Sequence, residues 1–166
     1  MSEELIIRRV QEHEIPLVLS FISELAEYEH LAHEVVATEE RLHAALFGPH
    51  PYCEVVFACL NGEAVGFALF FHNFSTFLGL PGLYLEDLFV RPTARGRGVG
   101  QMLLNWLARE TVARGCGRLD WSVLDWNEPA IRFYTSLGAT PMEAWKIFRL
   151  TGAALERLAQ VGYQVD

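Results

Sequence analysis

Apolar residues recur along the chain with two different periods, and the period assigns the element. Leu17, Phe21, Ile22, Leu25 and Tyr28 fall at three-to-four-residue spacing behind Pro16, which predicts a helix over 14–29. Met102, Leu103, Trp106, Leu107 and Val112 make a second such stripe, for a helix over 101–114. Thr38 ahead of Glu39 and Glu40 caps a short helix over 39–46. Asn127 and Gly138 bound another over 128–137, and Thr151 caps a last one running to about residue 160. Between the helices, β-rich runs over 5–10, 54–60, 64–71, 82–90, 118–123 and 144–150 predict strands. The second and third are joined by Asn61-Gly62, the signal for a two-residue hairpin. Residues 74–81, rich in Phe, Gly and Pro, read as a loop, and Pro92 stops the strand before it. This order predicts an α/β fold, a mixed central sheet flanked by helices, in a single domain over 1–166 without repeats or linkers.

Composition narrows the function classes. With 51% hydrophobic residues the chain of 166 can bury a full core, so disorder is excluded as its working state. Thirteen basic against 21 acidic residues give a net charge of −8, which disfavours nucleic acid as a partner. No apolar run approaches the ~18 residues of a membrane span, and the acidic start, Met1-Ser2-Glu3-Glu4, lacks the features of a signal peptide; a cytoplasmic protein is expected. Cys53, Cys59 and Cys116 form no CxxC pair and read as buried thiols. His30 and His33 have no third ligand at helical spacing, so a surface or helix-end role is expected and no metal site. The charges are segregated: residues 11–89 hold twelve acids and one base, Arg41, whereas 91–118 hold six arginines and one acid, Glu110. That pattern fits either two ligand faces, one for a cation and one for an anion, or two solvated faces.

Candidate chemistry begins at Arg95-Gly96-Arg97-Gly98-Val99-Gly100, a glycine loop between a strand and a helix. Phosphate recognition needs successive backbone N–H groups converging at a helix N-terminus, and glycine permits both the twist and the close approach. The spacing matches neither the dinucleotide nor the nucleoside-triphosphate glycine motif.

The loop, preceded by Tyr84-Leu85-Glu86-Asp87-Leu88-Phe89-Val90, resembles the acetyl-CoA signature R-x-x-G-x-G/A of the GNAT superfamily of N-acetyltransferases. Trp126-Asn127-Glu128-Pro129-Ala130-Ile131-Arg132-Phe133-Tyr134 is similar to that family's later coenzyme-contacting helix. Together with Leu25-Ala26-Glu27-Tyr28-Glu29 and Glu143-Ala144-Trp145, these segments resemble the diamine (spermidine/spermine) N1-acetyltransferase and thialysine N-ε-acetyltransferase subfamily.

The resemblance implies a GNAT fold, acetyl-CoA as cosubstrate, a small cationic amine as acceptor, no metal, and a homodimer. It implies that Gly96, Arg97, Gly98, Val99, Gly100 and Gln101 hold the pyrophosphate beside Arg95, and that Leu88, Phe89 and Val90 pair with the pantetheine arm as an added strand. Asn127, Ala130 and Tyr134 would contact the coenzyme. Tyr134 would be the general acid, since a phenol near pKa ~10 can protonate a thiolate, and Glu86 the water-mediated base, since an alkyl ammonium is charged at neutral pH. Tyr28, Glu29, Glu86, Asp87, Asp120, Trp121, Ser122 and Glu143 would bind the amine. In a regular strand Glu86 and Asp87 face opposite sides, so at most one points into any pocket unless a bulge intervenes. Direct attack is expected, because no Cys or Ser stands in a nucleophile motif. A protein or peptide N-acetyltransferase and a catalytically idle acetyl-CoA-binding module are the rival readings. The aromatic-rich residues 67–77 read as core or as dimer contact.

Overall fold

Five strands form one sheet in chain order: β1 (Leu5–Arg9), β2 (Glu54–Leu60), β3 (Glu63–Ser75), β4 (Leu80–Val90) and β5 (Leu119–Trp121). The first four run antiparallel to their neighbours and β5 runs parallel to β4, which makes the mixed sheet the sequence predicts. This computed structural model describes residues 4–162; Met1, Ser2 and Glu3, read above as part of an acidic start, lie outside the described residues. The β2–β3 turn has Asn61 at φ 51° and Gly62 at φ 85°, the two positive angles that the twist of a tight hairpin demands.

Alternation along the strands builds two apolar faces. On one, Phe21 of α1 (Ile15–Tyr28) packs on Phe57 and Phe67 at centroid distances of 5.6 and 5.3 Å, in a cluster with Val55, Leu69, Phe89 and Leu42 of α2 (Glu39–Phe47). On the other, Trp106 of α3 (Val99–Ala113) meets Phe70 edge-on at 5.7 Å, and Leu103 and Leu107 are fully buried. Each such side chain contributes about 1.5–3 kcal/mol by leaving water.

The described residues divide into two compact units between Ser122 and Val123. The second holds α4 (Glu128–Ser136) and α5 (Gly152–Ala159). Asn127 Oδ1 accepts from the Ala130 N–H at 3.4 Å, and Gly138, at φ 92°, closes α4 with Ala139 N–H bonded back to Tyr134 O at 3.2 Å, as Asn and Gly at those positions predict. In the first unit His30 serves the same end: at φ 61° it closes α1, with Leu31 N–H on Ala26 O at 2.8 Å.

Three expectations are corrected. Residues 144–150 carry no regular secondary structure and are exposed, Phe148 to 93%; a strand exists only by pairing, and the second unit holds no strand among its described residues. The loop expected over 74–81 shrinks to a turn over 76–79, since the ladder continues with Phe74 opposite Pro81 and Ser75 opposite Leu80. Pro81 is tolerated there because its backbone turns toward Gly117, whose N–H donates to Pro81 O at 2.8 Å, so the missing N–H removes no bond to β3. The strand expected over 118–123 shrinks to Leu119–Trp121, because β5 pairs only with Leu83, Tyr84 and Leu85, where a bulge then diverts β4.

The segregated charges meet in space. Arg91 grips Glu24 through Nε and Nη2 at 3.0 and 2.9 Å while lying over the Phe21 ring at 4.5 Å. Arg114 binds Glu54 and Glu110 at 2.5 and 2.8 Å, Arg9 reaches the same two carboxylates, and Arg118 binds Asp120 at 2.8 Å. Three of the six arginines of the basic segment, Arg91, Arg114 and Arg118, are thus spent on pairing with carboxylates. No helix among the described residues is long and apolar enough to cross a membrane.

Candidate active site

The register between β3 and β4 steps at Glu86: Phe70 lies opposite Leu85 and Leu69 opposite Asp87, so Glu86 is an extra residue without a partner across the ladder. A one-residue bulge reverses the parity of everything after it. Before it, Leu83 N–H bonds to Arg118 O, so odd-numbered backbone groups face β5; after it, Arg91 N–H bonds to Val65 O, so the backbone of Leu88 and Val90 faces away from β3. Since β5 pairs only as far as Leu85, that edge of β4 is open to an added strand.

Side chains follow the same reversal. Tyr84, Asp87 and Phe89 stand opposite Phe71, Leu69 and Phe67, on the face covered by α1. Glu86 is exposed, whereas Asp87 is largely withdrawn from water, and burial first, then the charges of Glu86 and Glu29, push its carboxyl up from 3.8 to about 6. Burial also raises Glu29, at the end of α1. The bulge removes the alternation that would set Glu86 and Asp87 on opposite faces, and the chain gathers Glu29, Glu86 and Asp87 into one acidic group. The Cys53 thiol is pushed up by burial, with Glu54 and Asp87 adding to it, and stays protonated at neutral pH.

Beyond β4 the glycine turn runs into α3. Gly96 and Gly98 sit at φ 75° and 76°, and a Cβ at either would meet no atom within 4 Å, so backbone twist and open space, not packing, select glycine. The first intrahelical bond is Met102 N–H to Gly98 O at 2.9 Å, which leaves the amides of Val99, Gly100 and Gln101 at the helix N-terminus. An open β4 edge leading into an uncrowded amide turn fits the pantetheine and pyrophosphate of a coenzyme A thioester.

At β5, Asp120 is held by Arg118 and by Asn73 Nδ2–H at 3.3 Å, and the Tyr84 and Ser122 hydroxyls are 2.8 Å apart. Trp121 pairs in register with Leu85. In the second unit Asn127 is buried as the α4 cap, Ala130 and Tyr134 are half-buried on α4, and Glu143 is exposed. A cleft among Leu46, Phe47, Tyr52, Cys53 and Phe71 includes none of the residues expected to bind coenzyme or amine. What sequence reasoning missed is the bulge itself and the burial of Asp87; the adjacent acids Glu86-Asp87 at the end of an apolar strand were the available signal.

Residues 19–139 match the acetyltransferase (GNAT) family model. Thialysine N-epsilon-acetyltransferase of Bos taurus is 38% identical over 92% of this chain and 96% of its own length. L-ornithine N5-acetyltransferase of Arabidopsis thaliana is 32% identical over 92% of this chain and 86% of its own. The solved structure of an integron cassette protein from the mobile metagenome of V. cholerae superposes with a TM-score of 0.78 at 31% identity, covering 94% of this chain and 98% of that one. On this match in sequence and architecture, the chain belongs to the acetyltransferase (GNAT) family.

Proposed function

We propose that the protein transfers an acetyl group from acetyl-CoA to a primary amine of a small cationic molecule, lysine-like or polyamine, by direct attack. The observation that carries this reading is the bulge at Glu86, which opens the β4 edge at Leu88 and Val90 and sets Glu86 and Asp87 next to it. When bound, acetyl-CoA supplies a thioester as acyl donor. Leu88 and Val90 hold its arm through backbone groups, Gly96 to Gln101 and Arg95 hold its phosphates, and Asn127 and Ala130 contact it from α4. The names of the two enzyme relatives, acting on thialysine and on L-ornithine, support an amine of that chemistry.

An alkyl ammonium must lose a proton before its nitrogen can attack. The Glu86 carboxylate takes that proton through water, and the Tyr134 hydroxyl gives a proton to the departing sulfur. Tyr28, Glu29, Asp87 and Glu143, with the Asp120-Trp121-Ser122 stretch, bind the amine's cationic groups. The protonated Cys53 supports direct transfer over a covalent route. One observation favours a second assignment of the base: Asp87, raised to about 6, is a better-matched proton acceptor at neutral pH than an exposed carboxylate. Our reading includes a cytoplasmic homodimer, to which Phe74 and Phe77, exposed on the β3–β4 hairpin, would contribute, while Phe67 and Phe70 belong to the core.

Acetyl-CoA-dependent thiol release is the test, against thialysine, lysine, ornithine, spermidine, spermine, putrescine, an arylamine and a basic peptide. Turnover on the small cationic amines is expected. Turnover on the peptide alone would make the protein a peptide acetyltransferase, and binding without turnover on any acceptor an idle module. Glu86→Gln and Asp87→Asn then separate the two bases: the one that carries the proton loses rate most steeply at low pH.

A further inference from the structure

We propose that Arg95 is a positioning residue that ties the amine-binding end of α1 to the open edge of β4, in addition to any contact with phosphate. Its Nε–H donates to Val90 O at 2.9 Å, and its guanidinium carbon lies 4.9 Å from the Tyr28 ring centroid and 5.6 Å from that of Phe89. The two rings are themselves 6.4 Å apart and inclined at 56°. One side chain therefore touches three parts of the site: the last residue of α1, the strand under it, and the acceptor at the end of the free edge. The Val90 carbonyl it takes is one of the outward groups on which an added strand would pair.

A flat cation tethered by Nε and lying over a phenol ring fixes the position of both. Tyr28 is then held where the amine binds by a residue of the coenzyme loop, so the two substrates are read through a shared contact. A lysine at 95 would keep the charge while losing the Nε–H at that place and the planar face. A purely phosphate-directed Arg95 would leave the amine end of the site untouched by that change.

The inference rests on the acetyl-transfer reading, and the experiment keeps the two apart. Arg95→Lys, Tyr28→Leu and the double variant are assayed for amine KM at saturating acetyl-CoA, for acetyl-CoA Kd by calorimetry without amine, and for unfolding in urea without either. Arg95→Lys is expected to raise amine KM about two- to fivefold, the size of an exposed cation–π contact, and to add nothing further in the Tyr28→Leu background. The unfolding cycle should show the same coupling between the two positions. A rise in acetyl-CoA Kd with amine KM unchanged, or additive effects in the double variant, overturns the coupling. Absence of turnover in the unmodified protein overturns the acetyl-transfer reading instead, and the unfolding cycle still decides the Arg95–Tyr28 contact: additivity there overturns it.

Discussion

Asp87 should make the protein less stable than it could be, and Asp87→Asn measures by how much. Its carboxyl is raised from 3.8 to about 6, chiefly by burial. The folded chain therefore holds that proton more tightly than the unfolded chain, and stability falls as pH rises from about 4 to about 6. Proton linkage amounts to about 1.4 kcal/mol per pH step, so the ionised Asp87 costs about 3 kcal/mol above that window. Asparagine has nearly the same shape and no charge to bury. At about pH 7.5 Asp87→Asn should raise stability by up to ~3 kcal/mol, or Tm by about 6–12 °C for a chain of this size. Near pH 4 the two proteins should converge. Urea unfolding at about pH 4, 6 and 7.5, with equal m-values confirming a common unfolded state, makes the comparison. The amine KM should rise in the same variant, as the binding role of Asp87 requires. An Asn advantage that is the same at pH 4 and 7.5 would refute the argument, since it would owe nothing to the proton.

Other perturbations act through packing and backbone. Arg91→Ala leaves Glu24 half-buried without its charged hydrogen bonds to the guanidinium and should lose about 2–3 kcal/mol in urea unfolding. Gly82→Ala places a Cβ 2.4 Å from Asn73 Oδ1 and 3.2 Å from Arg118 O; about 1–3 kcal/mol of stability should be lost, and Asn73→Ala in the same chain should recover part of it. Gly98→Ala meets no neighbour but forces a side chain to φ 76°, so about 1 kcal/mol of stability should go together with a weaker acetyl-CoA Kd by calorimetry. Phe77→Asp, at a residue 98% exposed, should shift sedimentation toward monomer and lower the melting temperature only by the concentration-dependent stabilisation that association supplied.

The sequence made local features legible and long-range ones much less so. Asn61-Gly62, Thr38, Asn127 and Gly138 act through their own backbone or within one turn, and the structure has each in its expected role: Arg41 N–H, for example, bonds to Thr38 Oγ1 at 3.2 Å. The run over 144–150 looked like a strand because alternation describes the chain's half of a sheet; the partner is a separate fact that no local pattern contains. Pairing takes Arg91, Arg114 and Arg118 out of the basic run, to acids far away or nearby, which the run itself does not reveal. The bulge was legible only as a condition on Glu86 and Asp87, since the adjacent acids mark the place but the inserted residue is fixed by the register with β3. The glycine turn was read correctly as to place, while the stacking of Arg95 on Tyr28 depends on α1 arriving from 67 positions earlier in the chain.

The extra residue at Glu86 also governs which changes of length β4 can absorb. A strand has two faces and two edges, so its positions work like a two-letter reading frame, and Glu86 is a frameshift written into the backbone. Deleting it alone would restore an unbroken ladder in which Asp87 still lies opposite Leu69 and the backbone of Leu88 and Val90 still faces outward, so that what is lost is the Glu86 carboxylate and the bend that carries it. Removing or adding two neighbouring residues would keep the frame and slide the edge by one repeat. Lineages descended from this chain are therefore free to lengthen the hairpin at its tip near Gly79, where the ladder has ended, whereas a single residue inserted or deleted within 87–90 exchanges inward and outward groups beyond it.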